Sequence, residues 1–327
     1  MFNFFRKKHG LGALINSPDI RDISLSAFQP TAVLPSKYIT DIAILPVWNQ
    51  GAMGTCVGHS EGKLKQYLDY KDVKQVIPLS ARFLYGRSKE IDGLPIGTQG
   101  TWPRIAAKIL LEQGCATEKT VVNNVNLSYD EYISIPKSDE ISNDAKPHKV
   151  KGYAFVNPDL GSLKQAIYTN GVVGATVPVG NWSSMPVKGD NPIGYHRILL
   201  YGYEEIGTGT VIHFRNSWGT WGNAGNGYFM WNDYQGKLSD LMTYTDIPNT
   251  LLENAHNTTY VYKYFKPYEI VGLKHELVLK LDQARELAKT SFIITSGFRT
   301  KETNAEVGGV ENSAHIQGLA CDVRCLE

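Results

Sequence analysis

The chain has 327 residues, which is long enough for two domains with buried cores. Hydrophobic residues make up 42% of it and charged residues 20%, and this composition excludes a disordered or fibrous protein. Its 33 basic and 32 acidic residues nearly cancel, so the overall charge predicts neither nucleic acid nor an anionic membrane as a partner.

The N-terminus is a poor secretory signal, and its short aromatic start beside basic residues predicts a mobile terminus, with contact with a membrane surface as the alternative. Its aromatic residues precede Arg6, Lys7 and Lys8, and they do not form the apolar run of a signal peptide. No stretch approaches the ~20 apolar residues that span a bilayer. We therefore expect synthesis in the cytoplasm and no membrane span, and we expect the chain to act as a monomer.

The cysteines are too few to form a disulfide framework in a chain of this length. A reducing compartment, or a requirement that Cys56 stays free, fits their number better. The four are Cys56, Cys115, Cys321 and Cys325.

The first part of the chain predicts an extended lead-in followed by helices. Residues 1–34 show no helical or strand period and are punctuated by proline. Helical patterning begins after Cys56 and recurs over 80–88, where Ser80 is a candidate N-cap. It returns over 102–113, and Gly114 follows as a stop signal.

The character of the sequence changes near residue 150, where short β-branched and aromatic runs are divided by glycine and asparagine. Such runs predict strands, and one helix over about 160–169 interrupts them. A helical half followed by a mainly antiparallel β half predicts two packed subdomains with a cleft between them. The predicted strands are 150–156, 171–179, 197–203, 210–215 and 227–231.

A polar, turn-rich boundary follows, and then a short third region with a helix over 274–289 and a strand over 291–295. The fold class is therefore α+β with a partial, small α+β module at the C-terminal end. The predicted divisions are a lead-in 1–34, a main domain 35–245 (helical 35–149, β-rich 150–245), a linker 246–262 and a module 263–327.

Cys56 is a candidate nucleophile. It stands between a glycine-rich turn and a segment that favours helix, and the free N–H groups and dipole at a helix N-terminus lower the pKa of a thiol. Gln50, six residues earlier, is placed to donate an amide N–H to the oxygen that becomes negative during attack on a carbonyl. The alternative for an isolated cysteine is a buried free thiol.

A nucleophilic cysteine needs a base, and the base needs a group that orients it. His196 begins an apolar strand and Asn216 ends the next one, so adjacent strands would bring them together, with Trp218 shielding their hydrogen bond from water. His59 is a competing base on the helix of Cys56, and His213 is another inside a strand. The sequence supplies neither of these with an orienting group.

Three blocks of residues carry these candidates. They are Gln50-Gly51 with Gly54-Thr55-Cys56, Tyr195-His196 before an apolar strand, and Asn216-Ser217-Trp218-Gly219. Together they resemble the papain family of cysteine peptidases over about residues 18–245. The segments 18–22 and 79–83 look like its prokaryotic and viral branch.

The resemblance implies that Cys56 is the nucleophile, His196 the base and Asn216 the orienting group. It implies that Gln50 and the Cys56 backbone N–H form the oxyanion hole. It also implies a papain-like two-subdomain fold, with a helical left half and a β-barrel-like right half, a peptide or protein substrate, and no required cofactor. The chain departs from the family at Val57, which replaces a tryptophan, and at Arg197, which replaces a small residue.

Near the C-terminus, Ser313, His315, Gly318, Ala320 and Asp322 form a spaced pattern. With the upstream segments 296–299 and 304–309, it resembles the zinc D-alanyl-D-alanine carboxypeptidase and endolysin family. The resemblance implies that His315 and Asp322 are zinc ligands and that Arg299 holds a substrate carboxylate.

The third histidine ligand and the catalytic glutamate of that family lie downstream of the residues present here, and a catalytic zinc needs three protein ligands. Cys321 and Cys325 are possible substitutes. We therefore expect a truncated or degenerate module without hydrolytic activity, which leaves only a partial zinc site.

These features predict a thiol peptidase that works through an acyl-enzyme in a bacteriophage or bacterial cell-wall context, either in a phage virion or released on lysis. The alternatives are a non-catalytic binding module of the same fold, and an amidase or transpeptidase acting on peptidoglycan peptides. The lead-in is a candidate inhibitor if it lies in the cleft. The expected substrate-lining residues are Trp218, Trp182, Met185 and Tyr195.

Overall fold

The structure is a computed structural model that describes residues 9–17, 22, 24–25, 32–245, 262–265, 267–290 and 292–325. The chain divides into two compact units. The larger consists of Met1–Asn16, Leu34–Val150 and Pro158–Thr243, and the smaller of Ser17–Val33, Lys151–Asn157 and Tyr244–Glu327. Apart from residues 22 and 262, the segment 18–22 and the predicted linker 246–262 lie outside the described residues.

The first half of the larger unit is helical, as predicted. Ser80 caps its second helix, because its hydroxyl oxygen accepts a hydrogen bond from the Phe83 N–H at 3.0 Å. Gly114 follows the third helix with a φ of +89°, a left-handed conformation that favours glycine. The helices of this half are α1 (Cys56–Val73), α2 (Ala81–Ile91), α3 (Pro103–Glu112), α4 (Tyr129–Ile133) and α5 (Asp139–Ala145).

Strands dominate the second half, and three helices interrupt them: α6 (Leu160–Asn170), α7 (Trp221–Ala224) and α8 (Trp231–Tyr234). The strands within the described residues are β1 (Lys37–Ile39), β2 (Gly152–Phe155), β3 (Val173–Pro178), β4 (Tyr195–Ile206), β5 (Gly209–Arg215), β6 (Asn226–Met230), β7 (Ser239–Thr245), β8 (Phe292–Ser296) and β9 (Asp322–Cys325).

In the larger unit the strands form an antiparallel sheet in the order β7-β3-β4-β5-β6, and β1 pairs with β4. Every residue of β3 is buried, which agrees with its continuous run of apolar and small residues. Helix α1 packs against β3 and β4, and this joins the helical half to the sheet. The α+β fold predicted from the sequence is confirmed.

The smaller unit has its own core. Helix α9 (His275–Ala288) and strand β8 contribute side chains to a cluster of buried apolar residues. Strand β9 pairs antiparallel with β8, and helix α10 (Lys301–Glu306) lies between these two strands in the sequence. The predicted helix 274–289 and strand 291–295 differ from the observed ones by one residue at each end. The buried cluster consists of Phe265, Ile270, Val278, Phe292 and Ile294.

Within the described residues, we find no helix that combines the length and the apolar character needed to cross a membrane.

Candidate active site

Cys56 is the first residue of α1, as the sequence predicts, and it follows the turn that contains Gly51 and Gly54. Its side chain is fully buried. Burial raises the pKa of the Cys56 thiol above its ordinary value, although the backbone amides of Arg197, Gly12 and Val57 and the charge of Arg197 act to lower it. The low pKa expected from the helix N-terminus is therefore wrong for this covered state, because lost hydration outweighs the nearby N–H groups.

The sheet brings His196 and Asn216 together. Strands β4 and β5 are antiparallel neighbours with Leu199 opposite Arg215, so the start of β4 lies beside the residue that follows β5. His196 Nε2 donates a hydrogen bond to Asn216 Oδ1 at 2.8 Å. That oxygen also accepts the Ser217 backbone N–H at 2.7 Å, which holds the amide in place.

This hydrogen bond leaves the other ring nitrogen of His196, Nδ1, for proton transfer. Nδ1 is buried and has no hydrogen-bond partner among the described residues, Cys56 included. Burial is the main cause that lowers the pKa of His196 to about 3, and the hydrogen bond that His196 donates to Asn216 opposes this shift. The imidazole is therefore neutral at neutral pH and can accept a proton at Nδ1.

Aromatic side chains cover the His196–Asn216 pair, as expected for Trp218. The Trp218 ring lies 4.6 Å from the His196 ring between centroids, and the Trp182 ring meets His196 edge-on at 5.9 Å. Trp182 is itself buried and donates its indole N–H to the Tyr234 hydroxyl at 3.0 Å. Both rings exclude water from the hydrogen bond, which strengthens it.

Gln50 is buried beside Ser217, the residue that follows Asn216. Its Oε1 accepts a hydrogen bond from the Ser217 hydroxyl at 2.6 Å, and its backbone N–H donates to the Ser217 carbonyl at 2.8 Å. These bonds fix the amide so that Nε2 is the donating end, which bonds the carbonyls of Met53 at 2.7 Å and Gly10 at 2.8 Å. Ser217 cannot be recognised from the sequence as the anchor of Gln50, because no local pattern links residues 167 positions apart.

The Gly10 carbonyl belongs to an N-terminal strap, residues 9–14, that lies across the site. The Ala13 N–H donates to the Tyr195 carbonyl at 3.4 Å, while the Gly12 carbonyl and Leu14 N–H bond the two backbone groups of Thr101 at 3.0 and 3.1 Å. The strap therefore runs between the helical half, at Thr101, and the start of β4, at Tyr195. It covers both Cys56 and the donating end of Gln50.

Two glycines make this close seating possible. A Cβ added at Gly12 would lie 1.9 Å from the Gly54 carbonyl oxygen, and one added at Gly10 would lie 2.2 Å from the Met53 carbonyl carbon. Any larger residue would push the strap away from the site. His9 adds a ring stack on Trp218, with centroids 4.6 Å apart and planes 8° from parallel.

Arg197 connects α1 to β4, a role that its position after His196 does not indicate. Its Nε donates to Glu61 Oε1 of α1 at 2.7 Å, and both side chains are fully buried. Further hydrogen bonds reach Thr176 Oγ1 and the Asp240 carbonyl. The pair ties α1, which carries Cys56, to β4, which carries His196, and the sequence carries no signal for it.

The competing bases do not join the cluster. His59 Nδ1 bonds the Thr55 carbonyl at 3.0 Å, and burial lowers the pKa of His59 to about 4. His213 lies 4.0 Å from Glu204 on the far end of the strand pair. Neither makes a hydrogen bond with Cys56 within the part of the chain that the structure describes.

The remaining candidates for substrate contact are Met185 and Tyr195. The Met185 methyl group would be 3.0 Å from a Cβ at either Gly222 or Gly227, so it packs on these glycines. Tyr195 is 38% exposed and gives its carbonyl to the strap. The assignment of Trp218, Trp182, Met185 and Tyr195 to substrate binding stays a prediction.

In the smaller unit, the residues proposed as zinc ligands lie near each other. His315 Nε2 is 3.6 Å from Asp322 Oδ1, and His315 Nδ1 bonds the Gly297 carbonyl at 2.7 Å. Arg299 Nη2 holds Asp322 Oδ2 at 2.7 Å, so it is engaged with the carboxylate that would bind the metal.

These side chains do not fit a catalytic zinc. No group of three histidine, cysteine, aspartate or glutamate side chains that could hold a metal occurs within the described ranges. Cys321 packs on the apolar core, where burial raises the pKa of its thiol to about 11, and Cys325 is exposed. Neither cysteine therefore joins His315 and Asp322 in a group of three ligands among the described residues.

Two family models match the chain. Residues 35–245 match the papain family cysteine protease, and residues 244–327 match Peptidase M15. Among curated proteins, none matches.

Solved structures are similar over most of the chain. Xylellain, a cysteine protease from Xylella fastidiosa, is 23% identical with a TM-score of 0.65, over 76% of this chain and 100% of that one. Procathepsin B S9 from Trypanosoma congolense is 19% identical with a TM-score of 0.53, over 72% and 86%. Digestive procathepsin L 3 from the larval midgut of Tenebrio molitor is 18% identical with a TM-score of 0.52, over 69% and 76%. At these identities the likeness shows a shared fold.

Proposed function

Because the chain belongs to the papain family of cysteine proteases, we propose that its peptide-bond hydrolysis runs through a triad of Cys56, His196 and Asn216, with Gln50 in the oxyanion hole. The observation that carries this proposal is the 2.8 Å bond from His196 Nε2 to Asn216 Oδ1. It fixes the tautomer whose Nδ1 lone pair accepts a proton. Ser217 holds the Gln50 amide with Nε2 as its donating end, so the oxyanion donor is already oriented.

The first half of the reaction forms an acyl-enzyme. His196 Nδ1 takes the thiol proton of Cys56, and Sγ bonds to the substrate carbonyl carbon while the C=O electron pair moves onto the oxygen. Gln50 Nε2 and the Cys56 backbone N–H donate to that oxyanion. When the C–N bond breaks, the proton on Nδ1 passes to the leaving amine.

The second half releases the acyl group. His196 Nδ1 takes a proton from water as the water oxygen bonds to the thioester carbon. The C–S bond then breaks, the acid product leaves, and the proton on Nδ1 returns to the Cys56 sulfur. Asn216 keeps the ring oriented through both halves, and Trp218 keeps water away from their bond.

We further propose that the strap holds the enzyme in a latent state. Gly10 occupies the donor of Gln50, and Gly12 lies at Cys56. A substrate carbonyl needs the same donor and the same approach to sulfur. The strap therefore has to leave before catalysis, and its departure also exposes Cys56 to water, which removes the burial that raises its pKa.

The substrate class proposed is the peptide part of peptidoglycan, in a phage or cell-wall setting. The supporting observation is the match of residues 244–327 to Peptidase M15 on the same chain. A peptide library and a cell-wall digest, each incubated with the enzyme, distinguish peptide from peptidoglycan cleavage. Adding an amine acceptor separates a hydrolase from a transpeptidase by the mass of the product.

An epoxysuccinyl thiol reagent tests the triad. In a chain that lacks residues 1–30, and so the strap, we expect Cys56 to be alkylated faster than Cys115 at mildly acidic pH, because His196 and Gln50 activate only the former. Burial raises the pKa of Cys115 to about 12, and its thiol bonds the Ser80 carbonyl. Tryptic mass spectrometry measures both sites in one sample, and Cys56→Ser provides the blank. Equal labelling of the two cysteines would contradict the assignment.

A further inference from the structure

A small cavity adjoins the candidate active site, but the groups proposed to react with substrate do not line it. One face of α1, the beginning of β4 and the end of β5 form its walls, and Trp48 closes one side. It has room for roughly one particle the size of a water molecule. Asn216 and Ser217 are on its lining, whereas Cys56, His196 and Gln50 are not.

Two buried cations, Lys63 and Arg215, line this cavity. Lys63 Nζ donates to the Pro46 carbonyl and to Gln66 Oε1, each at 2.7 Å. Arg215 donates to Asn226 Oδ1 at 2.7 Å and to two backbone carbonyls of the segment 42–45. All of these acceptors are neutral, so neither cation has an ion-pair partner among the described residues.

The other ionisable side chains nearby do not balance these charges. Arg197 also lines the cavity, but Glu61 neutralises it. The pKa of His59 is about 4, so its imidazole is neutral at neutral pH. Glu118 attracts Lys63 only through space, without an ion-pair contact between the two, and it is partly exposed.

Two like charges that face one cavity repel each other, and buried charges in proteins are normally paired. Burial, and next the charge of Arg215, lower the pKa of Lys63 well below its ordinary value. The Trp48 ring, whose centroid lies 3.7 Å from Nζ, favours the charged form. The charge of Arg215 is permanent. The lining therefore has an excess of positive charge that no carboxylate among the described residues offsets by contact.

Two buried donors without partners also indicate that the cavity holds an ion or a water molecule. Ser60 Oγ and Asn216 Nδ2 are buried without a hydrogen-bond partner among the described residues, and both residues line the cavity. They are 5% and 3% exposed. A buried polar group without a partner requires an explanation, and an ion or water in the adjoining space supplies one.

We propose that this cavity is a binding site for a single small monovalent anion, chloride in particular, held by Lys63 and Arg215 with Ser60 and Asn216 as further donors. The small volume excludes phosphate, sulfate and carboxylate ligands. The anion offsets the repulsion between the two cations and links α1 to the end of β5. It therefore stabilises the segment that carries Asn216 and Ser217.

The first test measures the stability of the full chain at constant ionic strength, while sodium chloride replaces sodium gluconate, an anion too large for the cavity. All six tryptophans lie between residues 48 and 231, in the larger unit, so their emission reports its melting. We expect the melting temperature to rise linearly with the logarithm of chloride concentration above the dissociation constant. Identical melting in both salts overturns the proposal, since a bound water or a neutral Lys63 would give that result.

Variants then locate the response. Lys63→Met and Arg215→Gln should each abolish the difference between chloride and gluconate. Lys65→Met is the matched control, because Lys65 is also a buried lysine of α1 but pairs with Asp69 and is absent from the lining. It should lower the melting temperature in both salts and leave their difference intact. A chloride response that survives both Lys63→Met and Arg215→Gln overturns the assignment to this cavity.

Bromide provides a test that does not depend on variants. Crystals of the full chain grown in sodium bromide should show an anomalous scattering peak between Lys63 Nζ and the Arg215 guanidinium. A peak there supports the site. Water density without an anomalous peak at that position contradicts it.

Discussion

His196 Nε2 donates to Asn216 Oδ1 over 2.8 Å, and this bond leaves Nδ1, which has no partner among the described residues, as the nitrogen that the proposed proton transfer with Cys56 requires. The Trp218 ring covers the bond at 4.6 Å from the imidazole. The orientation of the base therefore depends on an amide that is 20 residues distant in the sequence and on the indole that shields it.

We expect Asn216→Ala to lower kcat/KM by roughly 100-fold, because the imidazole loses the partner that selects its tautomer. Asn223→Ala removes an exposed asparagine nearby and should leave activity unchanged. Steady-state kinetics on a peptide substrate measures both variants. An Asn216→Ala enzyme with undiminished kcat/KM would remove Asn216 from the mechanism.

Gly12→Ala should increase the initial activity of freshly purified enzyme, because its methyl group cannot fit 1.9 Å from the Gly54 carbonyl oxygen and the strap must lift. The same substitution at Gly207, where a Cβ meets nothing within 4 Å, is the control and should have no effect. Deletion of residues 1–30 should increase activity at least as much. If both strap changes leave the hydrolysis rate at the level of the unmodified chain, the strap does not inhibit.

The catalytic candidates could be predicted from the sequence because each belongs to a short local pattern. Cys56 follows a glycine turn, His196 begins an apolar strand and Asn216 ends one, so strand adjacency alone brings two of them together. The capping box of α4, formed by Ser128 and Glu131, is likewise a short local pattern that predicts a helix start.

The strap and the buried ion pair could not be predicted in this way. Residues 9–14 have no periodicity, and their contacts with Gln50, Thr101 and Tyr195 depend on the completed fold. Arg197 and Glu61 are 136 residues apart, so only the packing of α1 on β4 makes them partners. The same packing decides the pKa of Cys56, which a helix start alone predicts with the wrong sign.

Arg197→Met should raise the pKa of Cys56, because the arginine charge and the fixed β4 backbone both favour the thiolate. The pH profile of Cys56 alkylation should move to higher pH, which a purely structural role would not cause. Arg87→Met, which breaks the ion pair between the buried Arg87 and the exposed Glu90, is the control and should leave the profile in place.

The same substitution leaves Glu61 buried without its arginine, and we expect it to destabilise the larger unit by roughly 3–5 kcal/mol. Arg197→Met combined with Glu61→Leu should recover much of this loss, because it removes the uncompensated charge. Urea unfolding followed by tryptophan emission measures both. A double variant no more stable than the single one would contradict the pairing.

Zinc content tests the smaller unit. With His315 and Asp322 as the available pair and Arg299 bonded to the carboxylate, we expect less than one zinc per chain after dialysis and no carboxypeptidase activity from this part. Cys321→Ser and Cys325→Ser should not change the zinc content. Stoichiometric zinc that is lost in either cysteine variant would show that a thiolate completes the site.

The burial of His59 should make the stability of the folded chain depend on pH. Its pKa falls from 6.5 to about 4 on folding because of burial, so the unfolded chain binds the proton more readily. The stabilisation is fully present above pH 6.5 and is lost as the pH falls towards 4, by on the order of 3 kcal/mol. Urea unfolding of full-length Cys56→Ser at pH 7.0, 5.5 and 4.5 should show this decline, and adding His59→Gln should make it shallower. His196, with a pKa of about 3, adds to the decline in both proteins. If the two proteins lose stability at the same rate over this range, His59 is not buried in its neutral form.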